Sequence, residues 1–123
     1  MRAKGLIWVG TWTSRREEMV RFLRDVMGMR VEFEGPETAE LSMTSGDRIQ
    51  VFGPGHRYHE FFQQNARGPV PLFQVEDVGA AKAELEAAGA QIVGEPDQDD
   101  LWSWLHVRAP DGHLYEVASF RTA

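Results

Sequence analysis

Gly28-Met29-Arg30-Val31 ends an amphipathic segment that begins near Arg15, and Gly89-Ala90-Gln91-Ile92 ends a second one that begins near Asp77. The two glycines are 61 positions apart (89 minus 28). A second pair follows, because Gly46-Asp47-Arg48-Ile49 is echoed 66 positions later (112 minus 46) by Gly112-His113-Leu114-Tyr115. A repeat of this length indicates a duplicated structural module and not a short solenoid unit.

Apolar periodicity and turn residues predict the order βαβββ in each half. The first half reads as a strand at 5–13, a helix that ends at Gly28, and strands at 29–34, 39–44 and 48–52. Ser14 and Glu17 have the spacing of a helix capping box. The second half reads as a strand at 72–76, a helix at 78–88, and strands at 90–94, 101–108 and 114–120, with an acidic loop at 95–100. Residues 53–71 read as a linker with at most one helical turn.

Composition narrows the class of protein. A chain of 123 residues with 42% hydrophobic and 26% charged residues suits one globular domain. A net charge of −6 without a basic run argues against nucleic-acid binding. No stretch is apolar and long enough for a signal peptide or a membrane span. The chain has no cysteine, which excludes disulfides and thiolate sites and is compatible with a cytoplasmic protein.

Four stretches resemble the vicinal oxygen chelate superfamily, which includes glyoxalases, bleomycin-resistance proteins and extradiol dioxygenases. They are Phe22-Leu23-Arg24-Asp25-Val26-Met27-Gly28-Met29, Phe73-Gln74-Val75-Glu76-Asp77-Val78, Ala83-Glu84-Leu85-Glu86-Ala87-Ala88-Gly89-Ala90 and Pro110-Asp111-Gly112-His113-Leu114-Tyr115-Glu116. The resemblance implies an α+β fold of two βαβββ modules, whose curled, cup-like mixed sheet carries its helices outside. We expect a single domain over 1–123, with modules at about 5–55 and 71–121 and a linker at about 56–70. The resemblance also implies a homodimer.

The resemblance places the family's four metal ligands at positions where this chain has Trp8, Gln50, Val70 and Glu116. Glu116 is the single strong ligand in this set, because tryptophan and valine cannot bind a metal and glutamine offers a neutral amide oxygen. We therefore expect no cofactor, and a divalent metal stays an open alternative.

Side chains alternate along a strand, so the four ligand positions also predict which neighbours face the cup. Apolar walls with a few polar groups are typical of a small-molecule pocket, and indole faces stack on planar rings and attract cations. The predicted ligand-binding residues are Trp8, Trp12, Arg48, Gln50, Phe52, Trp102, Trp104, His106 and Glu116.

The sequence leaves three functions open. The first is metal-independent binding of a planar or aromatic ligand in a Trp-lined cup. The second is a metal-dependent glyoxalase-like or dioxygenase-like enzyme that acts on vicinal oxygens. The third is a metal-free lyase or isomerase in which Glu116 or His106 is the catalytic base. Each residue also has a structural alternative: the tryptophans can be packing residues, and Glu116 can be an ion-pair partner of Arg48 or Arg108.

Overall fold

The computed structural model describes residues 1–121, and these residues form two βαβββ modules with a short helix between them. The first module contains β1 (Gly5–Trp12), α1 (Arg16–Arg21), β2 (Arg30–Glu34), β3 (Thr38–Ser42) and β4 (Arg48–Phe52). Helix α2 (His59–Asn65) follows. The second module contains β5 (Val70–Gln74), α3 (Val78–Ala87), β6 (Gln91–Gln98), β7 (Trp102–Arg108) and β8 (Leu114–Phe120). The predicted α+β class and the repeated element order are confirmed.

The chain divides into two compact units. The N-terminal unit is Trp8–Val70, and the C-terminal unit combines Met1–Ile7 with the chain from Pro71 onward. The first strand therefore begins in one unit and ends in the other.

The N-terminal unit has a mixed sheet with strand order β2-β3-β4-β1. Strand β1 runs parallel to β4, and β3 is antiparallel to both β2 and β4. One face of this sheet packs on α1 through a buried apolar cluster, which consists of Val20, Leu23, Ala39, Leu41 and Val51. Every second residue of β3 and β4 therefore points toward the helix, and the residues between them form the opposite face.

The C-terminal unit has a mixed sheet with strand order β5-β8-β7-β6. Strand β5 runs parallel to β8, and β7 is antiparallel to β8 and β6. Helix α3 covers one face through a second cluster, which consists of Val75, Val78, Ala81, Leu105, Val107 and Val117. Leu105 and Val107 of β7 alternate with the side chains that point to the opposite face, as does Val117 of β8.

The end of the first helix differs from the prediction. Ser14 does not cap α1. The helix begins after Arg15, whose backbone N–H donates a hydrogen bond to the Thr13 hydroxyl at 2.9 Å. Residues Phe22–Val26 then form a π-helical turn, closed by a bond from the Met27 N–H to the Phe22 carbonyl. The predicted stop at Gly28 is confirmed, since this residue has a φ of +75°, which favours glycine.

Two further segments carry more structure than predicted. Strand β6 continues to Gln98, so that Asp97 and Gln98 of the expected acidic loop pair with β7 after a shift in register between Val93 and Asp97. In the expected linker, α2 spans seven residues and buries Phe62. Short apolar runs with mixed spacing do not distinguish a loop from a helix before their packing partners are known.

Candidate functional site

His106 and Glu116 form a buried pair on the sheet face that lies opposite α3. Leu105 and Val107 pack toward the helix, so His106 between them points to the other side of β7. The antiparallel register sets His106 directly beside Glu116 of β8. The imidazole Nε2 is 2.5 Å from Glu116 Oε1, and the two side chains are 2% and 5% exposed.

Burial controls the electrostatics of this pair. Loss of solvation raises the pKa of Glu116 above its ordinary value, and the hydrogen bond and charge of His106 act in the opposite direction. The pair is therefore a carboxyl with a raised pKa within hydrogen-bond distance of an imidazole, and both side chains are of the type that can transfer a proton.

Aromatic side chains extend the same face toward the start of β7. The Trp102 and Phe120 rings stack with centroids 3.9 Å apart and an interplanar angle of 24°. Phe120 is 58% exposed, so the stack is open to solvent on one side. Trp104 is half-buried and lies opposite Ala118 in the strand register. The two predicted tryptophans therefore share a face with the His106–Glu116 pair.

In the N-terminal unit, two of the predicted ligand residues pack on each other. The Trp8 and Phe52 ring centroids are 5.8 Å apart. The Trp8 indole lies across Gly10, where an added Cβ would be 2.6 Å from Trp8 Cζ3. Trp8 thus needs a residue without a side chain at position 10 to adopt this position.

Helix α2 and the residues before it complete an aromatic cluster that the sequence did not predict. Phe52 contacts the rings of His56 at 4.9 Å and Phe62 at 5.0 Å. His56 Nδ1 accepts a hydrogen bond from the Tyr58 N–H, and burial lowers the pKa of His56. Phe52 is consequently a packing residue of this cluster.

Trp12 is held near the same helix. Its ring lies edge-on to His59, with centroids 6.3 Å apart. His59 Nε2 is 3.1 Å from the Thr13 carbonyl oxygen, so it donates a hydrogen bond there. His59, which the sequence placed in a linker, therefore holds α2 against the end of β1.

A polar row on β3 and β4 contains the two other predicted residues. Arg48 lies 3.3 Å from Glu40, and the Gln50 side-chain amide donates to the Thr38 hydroxyl at 3.2 Å. Glu40 and Thr38 were missed because no face was assigned to β3. The alternation of Ala39 and Leu41, both fully buried, is the signal that places them on the same face as Gln50.

A sequence profile described as Glyoxalase/Bleomycin resistance protein/Dioxygenase superfamily matches residues 5–117. The chain belongs to this superfamily. No curated protein sequence matches the chain significantly.

Solved structures support the same fold. The methylmalonyl-CoA epimerase from Mycobacterium tuberculosis is similar with a TM-score of 0.74 and 21% identity, covering 98% of this chain and 90% of that one. A variant of the Streptomyces coelicolor methylmalonyl-CoA epimerase, in complex with 2-nitronate-propionyl-CoA, is similar with a TM-score of 0.72 and 18% identity, covering 98% of this chain and 100% of that one. A glyoxalase/bleomycin resistance protein/dioxygenase superfamily member from Vibrio splendidus 12B01 is similar with a TM-score of 0.70 and 17% identity, covering 94% of this chain and 99% of that one. Identities this low establish the fold alone.

Glyoxalase-superfamily proteins often use a divalent metal, and the side chains at the corresponding positions do not fit one. Val70 is buried and has no donor atom, and Trp8 lies across Gly10. The Gln50 amide is bonded to Thr38, and Glu116 is paired with His106. Over residues 1–121, no group of three His, Cys, Asp or Glu side chains could hold a metal ion.

The helices of residues 1–121 are all too short or too polar to cross a membrane.

Proposed function

We propose that this glyoxalase-superfamily protein binds a small planar or aromatic molecule without a metal ion. The observation that carries the proposal is the His106–Glu116 pair. Glu116 is the strongest metal ligand among the four family positions, and its carboxyl is already engaged with an imidazole at 2.5 Å. The aromatic residues on the same face offer ring surfaces for stacking.

The proposed ligand contacts differ in kind. Trp102 and Trp104 are half-buried, so they supply ring surface, and the His106–Glu116 pair supplies a hydrogen bond. Arg48 and Gln50 are the polar members of the proposed set in the N-terminal unit, where they contact Glu40 and Thr38. The full set is Trp8, Trp12, Arg48, Gln50, Phe52, Trp102, Trp104, His106 and Glu116.

Calorimetric titration of planar compounds, with tryptophan fluorescence as a second readout, tests the proposal. The set includes an acyl-CoA, because a superfamily neighbour was solved with 2-nitronate-propionyl-CoA. Trp104→Leu should weaken the affinity of a bound compound about ten-fold, the loss expected for one aromatic contact. Phe33→Leu changes an exposed ring on β2 and serves as the control. Failure of every planar compound to bind would refute the proposal.

A second candidate is metal-free proton transfer by Glu116 or His106, as in a lyase or isomerase. It is favoured by the raised pKa of Glu116, which moves this carboxyl toward the range useful for acid–base chemistry at neutral pH. Proton NMR of a bound compound in D₂O tests it. Proton–deuterium exchange or isomerisation of the compound would establish this activity if Glu116→Gln abolishes the reaction and still binds the compound. An unchanged spectrum would leave ligand binding as the proposed function.

A metal measurement tests the alternative of a metal-dependent enzyme. Elemental analysis of protein purified without chelator would show one equivalent of metal per chain if a glyoxalase-like or dioxygenase-like enzyme acts here on vicinal oxygens. Loss of that metal in Glu116→Gln would assign the site and displace the binding proposal.

We further propose a cytoplasmic homodimer. The exposed apolar side chains Phe22, Val26 and Met27 on the N-terminal unit support a protein contact, since large apolar surface patches mark such contacts. Light scattering of the purified chain tests the dimer, and cell fractionation tests the location.

A further inference from the structure

A histidine side chain fixes the turn that leads into α2. His56 Nδ1 accepts a hydrogen bond from the backbone N–H of Tyr58, the residue just before the helix, at 3.1 Å. The His56 N–H bonds to the Gly53 carbonyl and the His59 N–H to the His56 carbonyl, which completes the turn. Within residues 1–121, no side chain caps α2 at Tyr58. The imidazole of His56 is therefore the side chain that ties this turn to the start of α2.

The surroundings of this imidazole are mainly aromatic. Its ring lies edge-on to Phe52, with centroids 4.9 Å apart, and 6.4 Å from the Tyr58 ring. Burial is the main cause that lowers the pKa of His56, and the carboxylate of Glu37, just before β3, acts in the opposite direction. The charged and titratable groups around the ring are Glu37, Arg57, Tyr58 and His59.

His56 and His59 respond differently to protonation, because one accepts a hydrogen bond and the other donates one. A ring nitrogen accepts a hydrogen bond only while it carries no proton. Protonation of His56 at Nδ1 therefore sets one N–H against another, that of Tyr58. His59 Nε2 donates to the Thr13 carbonyl, and an imidazolium can still donate this bond. His56 is thus the histidine of this segment whose contact requires the neutral form.

We propose that His56 is a pH-sensitive switch, which holds the start of α2 in place when neutral and loosens it when protonated in mildly acidic solution. The switch goes beyond the proposed function and does not depend on it, since no ligand takes part. Neutral His56 contributes its bond above the unfolded pKa of 6.5, and this contribution is lost as the pH falls through the lower folded pKa. The N–H of Phe62, which bonds to the Tyr58 carbonyl, reports on the affected turn of α2.

Amide hydrogen exchange of the full chain, followed by NMR at about pH 7.5 and about pH 5.5, tests the switch. Protection factors, which correct for the intrinsic pH dependence of exchange, should be about ten-fold lower at the acidic pH for the Tyr58 and Phe62 amides. Those of Leu105 and Val117 in the C-terminal unit should change little. Unchanged protection of Tyr58 and Phe62 would overturn the proposal. An equal fall in both units would overturn it as well, because it would indicate global destabilisation.

Variants at position 56 separate the hydrogen bond from the titration. In His56→Asn, the amide oxygen can accept from the N–H two residues on and does not titrate, so Phe62 should stay protected at both pH values. His56→Ala has no acceptor and should give low protection at both. His113→Asn, at an exposed histidine on the turn before β8, is the matched control and should keep the native pH dependence. Native pH dependence in His56→Asn, its loss in His113→Asn, or native protection in His56→Ala would each refute the role of His56.

Discussion

At Gly10, the absence of a side chain allows the Trp8 indole to lie across strand β1 and against Phe52. The sequence predicted that these residues share a sheet face, because alternation along a strand depends on the backbone alone. It did not predict that the ring turns toward the strand, since that depends on the space left by a neighbour two residues away. The same limit applied to Glu116, for which the sequence offered Arg48 or Arg108 as ion-pair partner, whereas the structure pairs it with His106.

Gly10→Ala should destabilise the fold by about 1–3 kcal/mol, the usual cost of adding a methyl group to a packed site. The new Cβ would lie 2.6 Å from Trp8 Cζ3 and 3.1 Å from Phe52 Cε2, so the indole has to move. Urea unfolding measures the loss, and the emission of Trp8 should shift as well. Gly68→Ala, where no atom lies within 4 Å of the added Cβ, is the control and should be close to native. Equal stability of the two variants would contradict the packing described for Trp8.

Glu116 should make stability depend on pH. Burial raises its pKa in the folded state above the unfolded value of 4.5, so the folded protein binds this proton more tightly. That contribution is fully present below the unfolded pKa and is lost as the pH rises through the folded pKa. The free energy of unfolding of Glu116→Gln, relative to native, should therefore improve as the pH rises from the unfolded pKa of 4.5 toward neutrality.

The measurement is a series of urea unfolding curves across that range. Glu86→Gln on α3 is the control, because its ion pair with Lys82 is exposed and contributes little. A difference between Glu116→Gln and native protein that stays constant with pH would contradict the effect of burial on this carboxyl.

At the scale of elements, the strands and α3 were predictable because their signals are local. Gly89 ends α3 with a φ of +83°, and the buried residues Leu105, Val107 and Val117 follow the alternation expected of β7 and β8. The expected linker was harder, because α2 is stabilised by contacts distant in sequence, such as the His59 bond to the Thr13 carbonyl. The π-helical turn after α1 was also not predicted, because no single residue type indicates such a turn in the sequence.

The first turn of α3 has two side-chain caps, and one comes from a distant strand. Asp77 accepts from the Ala80 N–H at 2.9 Å, and the buried Ser119 hydroxyl of β8 accepts from the Val78 N–H at 3.1 Å. Ser119→Ala should cost about 1–2 kcal/mol, because a buried N–H then lacks its partner. Thermal unfolding checks this. Ser103→Ala changes the cross-strand neighbour of Ser119 and should have the smaller effect. A larger loss of stability in Ser103→Ala than in Ser119→Ala would contradict the capping role of Ser119.

Phe62 anchors α2 to the sheet of the N-terminal unit. It is 1% exposed and packs on Phe52, Tyr58 and Phe61. Phe62→Ala should cost about 3–5 kcal/mol through lost burial and a cavity. Phe33→Ala, at an exposed site on β2, should cost far less. Similar losses in chemical denaturation for both variants would mean that α2 contributes little to the stability of this unit.

At the scale of the whole molecule, the repeat preserves the backbone and changes the chemistry. Both modules have the order βαβββ, and both pack a helix on one sheet face. On the opposite faces, the N-terminal unit carries a packed aromatic cluster and a polar row, whereas the C-terminal unit carries a buried ion pair beside a Trp–Phe stack. The duplication and the superfamily could therefore be predicted from local patterns, whereas the candidate site depends on residues that differ between the two halves.

This divergence predicts that divalent metals do not stabilise the protein. A metal bound to the folded state at a hundred times its Kd would add about 2.7 kcal/mol, which shifts the Tm of a domain this size by several degrees. The residues at the four family positions offer one carboxylate, and that carboxylate is paired with His106. Thermal scans with Zn²⁺, Ni²⁺, Mn²⁺ or Fe²⁺ should therefore match scans in chelator within about one degree. An upward shift of several degrees that Glu116→Gln abolishes would show that the metal displaces His106 from the carboxylate, and the protein would then be a metal-dependent member of its superfamily.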